Sequence, residues 1–304
     1  MTDRLMVVAA VAVGLPTALA EHGDATAGEL AAQLGLVPRR LRALLCALHS
    51  TGTVSRRLSE GRELFALGAV PFPREPGTKR GAALCAAVLR RAEPIGWLEA
   101  AGNPEAAALT CSEELTATGV AAVDVARLVA PALAEGGVFV DAGCGGGELT
   151  EAVLAAAPLA TAVACDLPAV LPLAAQRLAA RGRRVRFVPG DLREVALPPG
   201  RAVILANVLH VLDDETAQRV VTRLGALIEP GGRMVVKEVL LDEDGGGPPV
   251  ALRFALSLAL HGGGEVRPPS TMEAWLQAAG FSVVHRAPLD HAADAVGIVG
   301  VRRA

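Results

Sequence analysis

Four glycines crowded into six positions narrow most what this chain can become. They follow Asp141 in the stretch 138–150, VFVDAGCGGGELT, where an apolar, β-branched run ends and the helix-forming run ELTEAVLAAA begins at once. That order spells strand, tight turn, helix. Glycine suits such a turn because it reaches positive φ without steric penalty and lets a ligand lie directly against the backbone. A turn of this kind serves a ligand in some chains and only a strand-to-helix junction in others.

Spacing separates the ligand classes. A dinucleotide site of the form G-x-G-x-x-G, counted from Gly143 through Gly145, needs a third glycine at position 148, which is Glu148. The residues present, Asp141, Gly143, Gly145 and Gly147, spell D-x-G-x-G-x-G. This resembles motif I of the Rossmann-like S-adenosylmethionine-dependent methyltransferases, in which the loop wraps the methionine part of the cofactor. A second apolar run, 159–165, ends at Asp166 with Leu167 beside it, about twenty residues beyond the glycines, where an acidic side chain can accept from both ribose hydroxyls. A third, 185–188, leads into Gly190-Asp191-Leu192. There the resemblance implies an acidic group against the adenine amino group and an apolar one against the ring; a turn-forming Asp after Gly is the plainer alternative for Asp191.

The chain of 304 residues is 52% apolar with a net charge of −3, so it can build a large core and two domains. That balance speaks against a nucleic-acid surface or a polybasic membrane anchor. Five widely spaced cysteines without a C-x-x-C indicate neither a disulfide framework nor a zinc site, and a reducing cytoplasm fits them. The acidic run Asp242-Glu243-Asp244 lacks the spacing of a calcium loop, so no metal is expected. The opening stretch 1–20 is apolar with an A-x-A-like end, but Asp3 and Arg4 lead it and it is short for a membrane span; a buried first helix at a subunit interface accounts for it.

From Asp24 the pattern is a compact helical unit. Thr26 can cap a helix through Glu29, Gly35 ends it, Pro38 opens the next, and Leu41, Leu44, Leu45 and Leu48 share one face. Short strands around Val54 and Leu64-Phe65 make a wing. Helix-turn-helix with a wing is a DNA-binding shape, and Arg39, Arg40, Arg42, Arg56 and Arg57 are compatible with phosphate contacts. The same region, T-x-x-E-L-A…L…L-R-A-L…G, also resembles the winged-helix dimerisation domain of plant-type and actinobacterial small-molecule O-methyltransferases, which holds two subunits together and does not read DNA. Residues 69–135 carry a Pro-rich turn and Ala- and Leu-rich helical stretches, shorter than the family pattern.

The remaining half alternates strand and helix, which predicts a parallel sheet covered on both faces, with ligands beyond the carboxyl ends of the strands. Two closing strands, 281–286 and 296–301, make a hairpin and an antiparallel last strand. His210 follows the strand 202–206, and imidazole is the side-chain type that exchanges a proton near neutral pH. A histidine at a strand end is often structural, but the stretch VLHVLDDET resembles the family segment in which this histidine is the catalytic base. Glu238, after MVVK, and Glu265, after three glycines, match family glutamates that flank and orient it; a solvated strand end and a loop charge are the plainer alternatives. The sequence departs from the pattern at Ala206, Val211 and Leu212, where the family carries Lys or Ser, Asp and Trp. Asp213 and Asp214 read as helix caps.

The resemblance therefore implies a winged-helix dimerisation domain over 1–100, a helical linker and pocket lid over 101–135, and an α/β Rossmann-like methyltransferase domain over 136–304. Expected cofactor contacts are Asp141, Gly143, Gly145, Asp166, Leu167, Asp191 and Leu192, with His210, Glu238 and Glu265 as the catalytic set. The activity implied is cytoplasmic, S-adenosylmethionine-dependent O-methylation of a small aromatic or polyketide-like secondary metabolite, as in antibiotic biosynthesis, by a homodimer. The apolar helix 249–260 would line the acceptor pocket or simply fill core. Carbon or nitrogen methylation, non-methylating chemistry on the same cofactor, and a winged-helix regulator remain open alternatives.

Overall fold

The computed structural model describes residues 3–72, 87, 89–90, 121–261 and 264–303. In chain order these form α1 (Asp3–Ala12), α2 (Leu15–His22), α3 (Ala27–Leu34), α4 (Pro38–His49), β1 (Val54–Ser59), β2 (Arg62–Leu67) and α5 (Ala122–Val129). There follow β3 (Gly137–Ala142), α6 (Glu148–Ala156), β4 (Ala160–Asp166), α7 (Leu171–Leu178), β5 (Val185–Pro189), β6 (Gly200–Ala206), α8 (Asp214–Gly225) and β7 (Ile228–Glu238). The last elements are α9 (Pro249–His261), α10 (Pro269–Ala278), β8 (Phe281–Leu289) and β9 (Ala292–Arg302). The stretch around Trp97 and the first part of the expected lid, 101–120, lie outside the described residues.

By their contacts these elements fall into two units, Met1–Trp97 with Leu241–Val266, and Leu98–Leu240 with Arg267–Ala304. In the first, the opening apolar run is two helices, because Gly14 at φ 80 and Pro16 in the first turn of α2 interrupt it. Thr26 and Glu29 form the expected capping box: Thr26 Oγ1 accepts from the Glu29 amide, and Glu29 Oε2 accepts from the Thr26 amide at 2.7 Å. Such a cap contributes about 1 kcal/mol. Gly35 at φ 63 closes α3. Leu41, Leu44, Leu45 and Leu48 bury one face of α4 among Leu30 and Phe65. The wing is an antiparallel hairpin in register from Val54↔Leu67 to Ser59↔Arg62.

The sequence places 241–266 within the domain 136–304, whereas its contacts are with the first unit: α9 packs on α4, and Leu252 and Leu256 share that unit's buried cluster. Four of the basic side chains that could have met phosphate are already paired there. Arg42 and Arg56 converge on Glu63, Arg56 also reaches Asp244, Arg57 pairs with Asp24 and Arg39 with Glu265.

The second unit is a sheet in the order β5-β4-β3-β6-β7-β9-β8, parallel from β5 through β7 and antiparallel at β9 and β8. The expected α/β architecture with a closing hairpin is present. Its strands are apolar on both faces because helices cover both: in β6, Ala202 and Ile204 belong to one buried cluster while Val203 and Leu205 belong to the other. The chain builds β3, β4 and β5 outward in one direction, then returns to lay β6 on the other side of β3. In sheets of this kind ligands sit beyond the carboxyl ends of the strands at such a reversal, here between β3 and β6.

Candidate active site

The glycine turn sits at that reversal. Gly143 (φ 82), Gly145 (φ 53) and Gly147 (φ 84) all hold left-handed backbone, which side-chain-bearing residues rarely adopt. Two amides of the turn, those of Gly143 and Cys144, donate to the Cys165 carbonyl at 2.8 and 3.0 Å and so tie the turn to the end of β4. A Cβ at Gly143 would stand 2.5 Å from Val208 Cγ2, so this glycine allows the turn after β3 and the turn after β6 to touch.

Asp141, next to the last residue of β3, is fully buried. Its Oδ2 accepts from the Thr150 hydroxyl of α6 at 2.5 Å, while its Oδ1 is buried and unmatched among the described residues. Burial pushes its carboxyl up to about 6, with nearby Asp166 adding to the rise against the Thr150 hydrogen bond. Because the folded state holds the proton more tightly than the unfolded chain, this group favours folding most below pH 4 and least above 6. An Asp141→Asn variant should gain stability on the wild type as pH rises from 4.5 to 7.5, by about 2 kcal/mol. Denaturant titration at both pH values checks this; a difference independent of pH would refute it.

Asp166 ends β4. Its Oδ2 accepts from the Gly145 amide and its Oδ1 from the Leu167 amide, each at 2.7 Å. A carboxylate has about four acceptor positions, so each oxygen keeps capacity for a further donor. Burial raises its pKa, against the lowering effect of the two amides. Asp191, after β5, is differently placed: Arg193, two residues on, grips both its oxygens, with Nε at 3.0 and 2.9 Å, and holds the carboxyl below its usual range. Leu192 packs on the cluster under β5 and β6, and Arg223 binds its carbonyl.

His210 lies in a short 3-10 turn, Leu209–Val211, after β6. Asn207 makes the bend at φ 56, with Oδ1 accepting from the buried Lys237 Nζ at 2.9 Å. Glu238, at the end of the neighbouring β7, is 1% exposed and does two things. Its Oε1 accepts from the amides of Val208 and Leu209 at 2.9 and 2.7 Å, and its Oε2 meets His210 Nδ1 at 2.6 Å. With Nδ1 carrying the proton toward Glu238, Nε2 is left as the acceptor. Asp213 caps α8 as expected, accepting from the Thr216 amide at 2.8 Å.

The structure thus brings Asp141, the glycines, Asp166 and the His210–Glu238 pair to one end of one sheet. Glu265 belongs to the first unit, where Arg39 pairs with it at 3.1 Å. Two contributors had no sequence signal: Thr150 on Asp141, and Arg267, which is 3% exposed and reaches the His210 turn from 55 or more residues away; Arg193 stands two residues from Asp191, within local side-chain reach. Asn207 carried one, since Asn tolerates left-handed backbone better than most residues.

Residues 88–282 match the family model described as the O-methyltransferase domain. The chain belongs to that family. Among curated relatives, this O-methyltransferase-family chain is 34% identical over 142 residues to the acetylserotonin O-methyltransferase of Bos taurus, covering 46% of this chain and 41% of the relative. It is 35% identical over 149 residues to the 3-amino-4-hydroxybenzoate 4-O-methyltransferase of Streptomyces cremeus, covering 48% and 40%. The match spans well under half the length of either. Among solved structures, an O-methyltransferase family 2 protein from Planctomyces limnophilus, in complex with apigenin, superposes with a TM-score of 0.74 at 22% identity, covering 98% of this chain and 92% of that one.

Proposed function

We propose that this protein is an S-adenosylmethionine-dependent O-methyltransferase acting on a hydroxyl of a small aromatic or polyketide-like acceptor, with His210 as general base. The observation that carries the reading is the His210–Glu238 pair, one turn across from the glycine cradle of β3. The residues fit the cofactor in three respects. The glycine turn leaves backbone open to close approach, Asp166 keeps acceptor capacity on both oxygens, and Asp141 Oδ1 is a buried acceptor that meets no donor among the described residues. Asp141, Gly143, Gly145, Asp166 and Leu167 would hold it, with Leu192 and Asp191 on the adenine side, where Asp191 would share its carboxylate with Arg193.

When bound, S-adenosylmethionine supplies a methyl group on a sulfonium, already electrophilic. The protein's task is then to place an acceptor hydroxyl and take its proton. Glu238 fixes the imidazole through Nδ1, so Nε2 can receive that proton, and the buried carboxylate stabilises the imidazolium formed. Resemblance alone puts Glu265 beside this base. It likewise supports a homodimer through residues 1 to about 100, and the arginines there, paired within the chain, disfavour phosphate contacts.

Calorimetric titration with S-adenosylmethionine, followed by S-adenosylhomocysteine formation over N-acetylserotonin, 3-amino-4-hydroxybenzoate and apigenin, tests the reading. Binding with turnover is expected. Absence of binding would sink the cofactor assignment, and binding without turnover on a widened phenol panel would favour non-methylating chemistry on the same cofactor.

A further inference from the structure

Arg267 is a buried cation of the second unit that the proposed reaction does not use. Its residue is 3% exposed, and its guanidinium lies over the Trp275 ring at 5.1 Å. Nη1 donates to the Leu209 carbonyl at 2.8 Å, Nη2 to the Leu212 carbonyl at 2.6 Å, and Nε to Asp214 Oδ1 at 2.6 Å. The two carbonyls bracket His210 in the chain. Glu238 meanwhile takes the amides of Val208 and Leu209. The turn that carries the imidazole is therefore gripped by a carboxylate on its amides and a guanidinium on its carbonyls.

We propose that Arg267 is the positioning residue for His210: by binding the carbonyls on both sides of it, Arg267 fixes the turn so that Nδ1 stays on Glu238 and Nε2 keeps one direction. This rests on the reading of His210 as the base for its kinetic consequence, but not for its structural one. Arginine suits the task because its planar fork holds separate acceptors at once. Lysine keeps the charge and loses the fork. Asp214, with its side chain 66% exposed, aligns the fork from the first turn of α8.

The test uses the whole chain labelled at histidine Cε1, with the six imidazole signals followed by NMR and His210 assigned through His210→Gln. In Arg267→Lys the His210 signal should shift and broaden while the others stay; in Asp214→Asn, at an exposed position that leaves the fold intact, it should shift less. A His210 signal unchanged in both variants overturns the proposal, as does equal movement of all six, which marks general loosening. On an acceptor that the wild type methylates, Arg267→Lys should lower kcat roughly tenfold to a hundredfold with S-adenosylmethionine affinity unchanged. It should cost nothing further in a His210→Gln background. A further loss there makes Arg267 merely structural. Should the wild type bind no S-adenosylmethionine, the functional reading fails, and the imidazole signal still decides whether Arg267 sets the ring.

Discussion

The His210→Ala variant is expected to lose about 10²- to 10⁴-fold in turnover while binding S-adenosylmethionine within about twofold of the wild type. The split follows from where the residues sit. Asp166 and the glycines hang on β3 and β4, whereas His210 hangs on the turn after β6 and would touch only the acceptor hydroxyl. Alanine has a side effect: Glu238 Oε2, in a residue 1% exposed, loses its ring partner, and an unmet buried acceptor costs roughly 1–3 kcal/mol of stability. His210→Gln separates the two effects, since its amide can still donate to Glu238 yet cannot accept a proton at neutral pH. Both variants should lose turnover alike, with Gln melting closer to wild type. A Gln variant within about tenfold of wild-type turnover would remove His210 as the base and leave it an orienting group.

That division also explains what could be read from the residues. The glycine turn, the Thr26–Glu29 box and the Asp213 cap were legible because each is built from residues a few positions apart, where φ limits and side-chain reach act locally. The parallel sheet was legible because strands buried on both faces read as continuous apolar runs. Arg267 was not: its partners are backbone carbonyls far away in the chain, and a carbonyl leaves no mark on the residue identity that bears it. Nor was the allegiance of 241–266 to the first unit, because the pattern of α9 shows an apolar face broken by Arg253 and Ser257 but cannot tell which neighbour covers that face. Asp191 shows the opposite failure. Its position belongs to a motif, while the residue that grips it, Arg193, stands only two positions on, where side-chain reach alone allows the pair.

The largest loss in cofactor affinity is expected from Asp166→Ala, about 30- to 1000-fold in Kd. Two causes act together. The ribose hydroxyls lose a charged acceptor, and the amides of Gly145 and Leu167, each now 2.7 Å from a carboxylate oxygen, lose theirs, so the turn itself is released. Asp166→Asn should behave more like Ala than its shape suggests, because the Asn amine would face one of those two amides, donor against donor. The causes separate with a second ligand. Wild type should bind S-adenosylhomocysteine much more tightly than its ribose-deoxygenated analogue, and Asp166→Ala should bind both about equally. If the variant is weaker yet still prefers the ribose form by the wild-type ratio, Asp166 only shapes the turn, and the hydroxyls are held by another group.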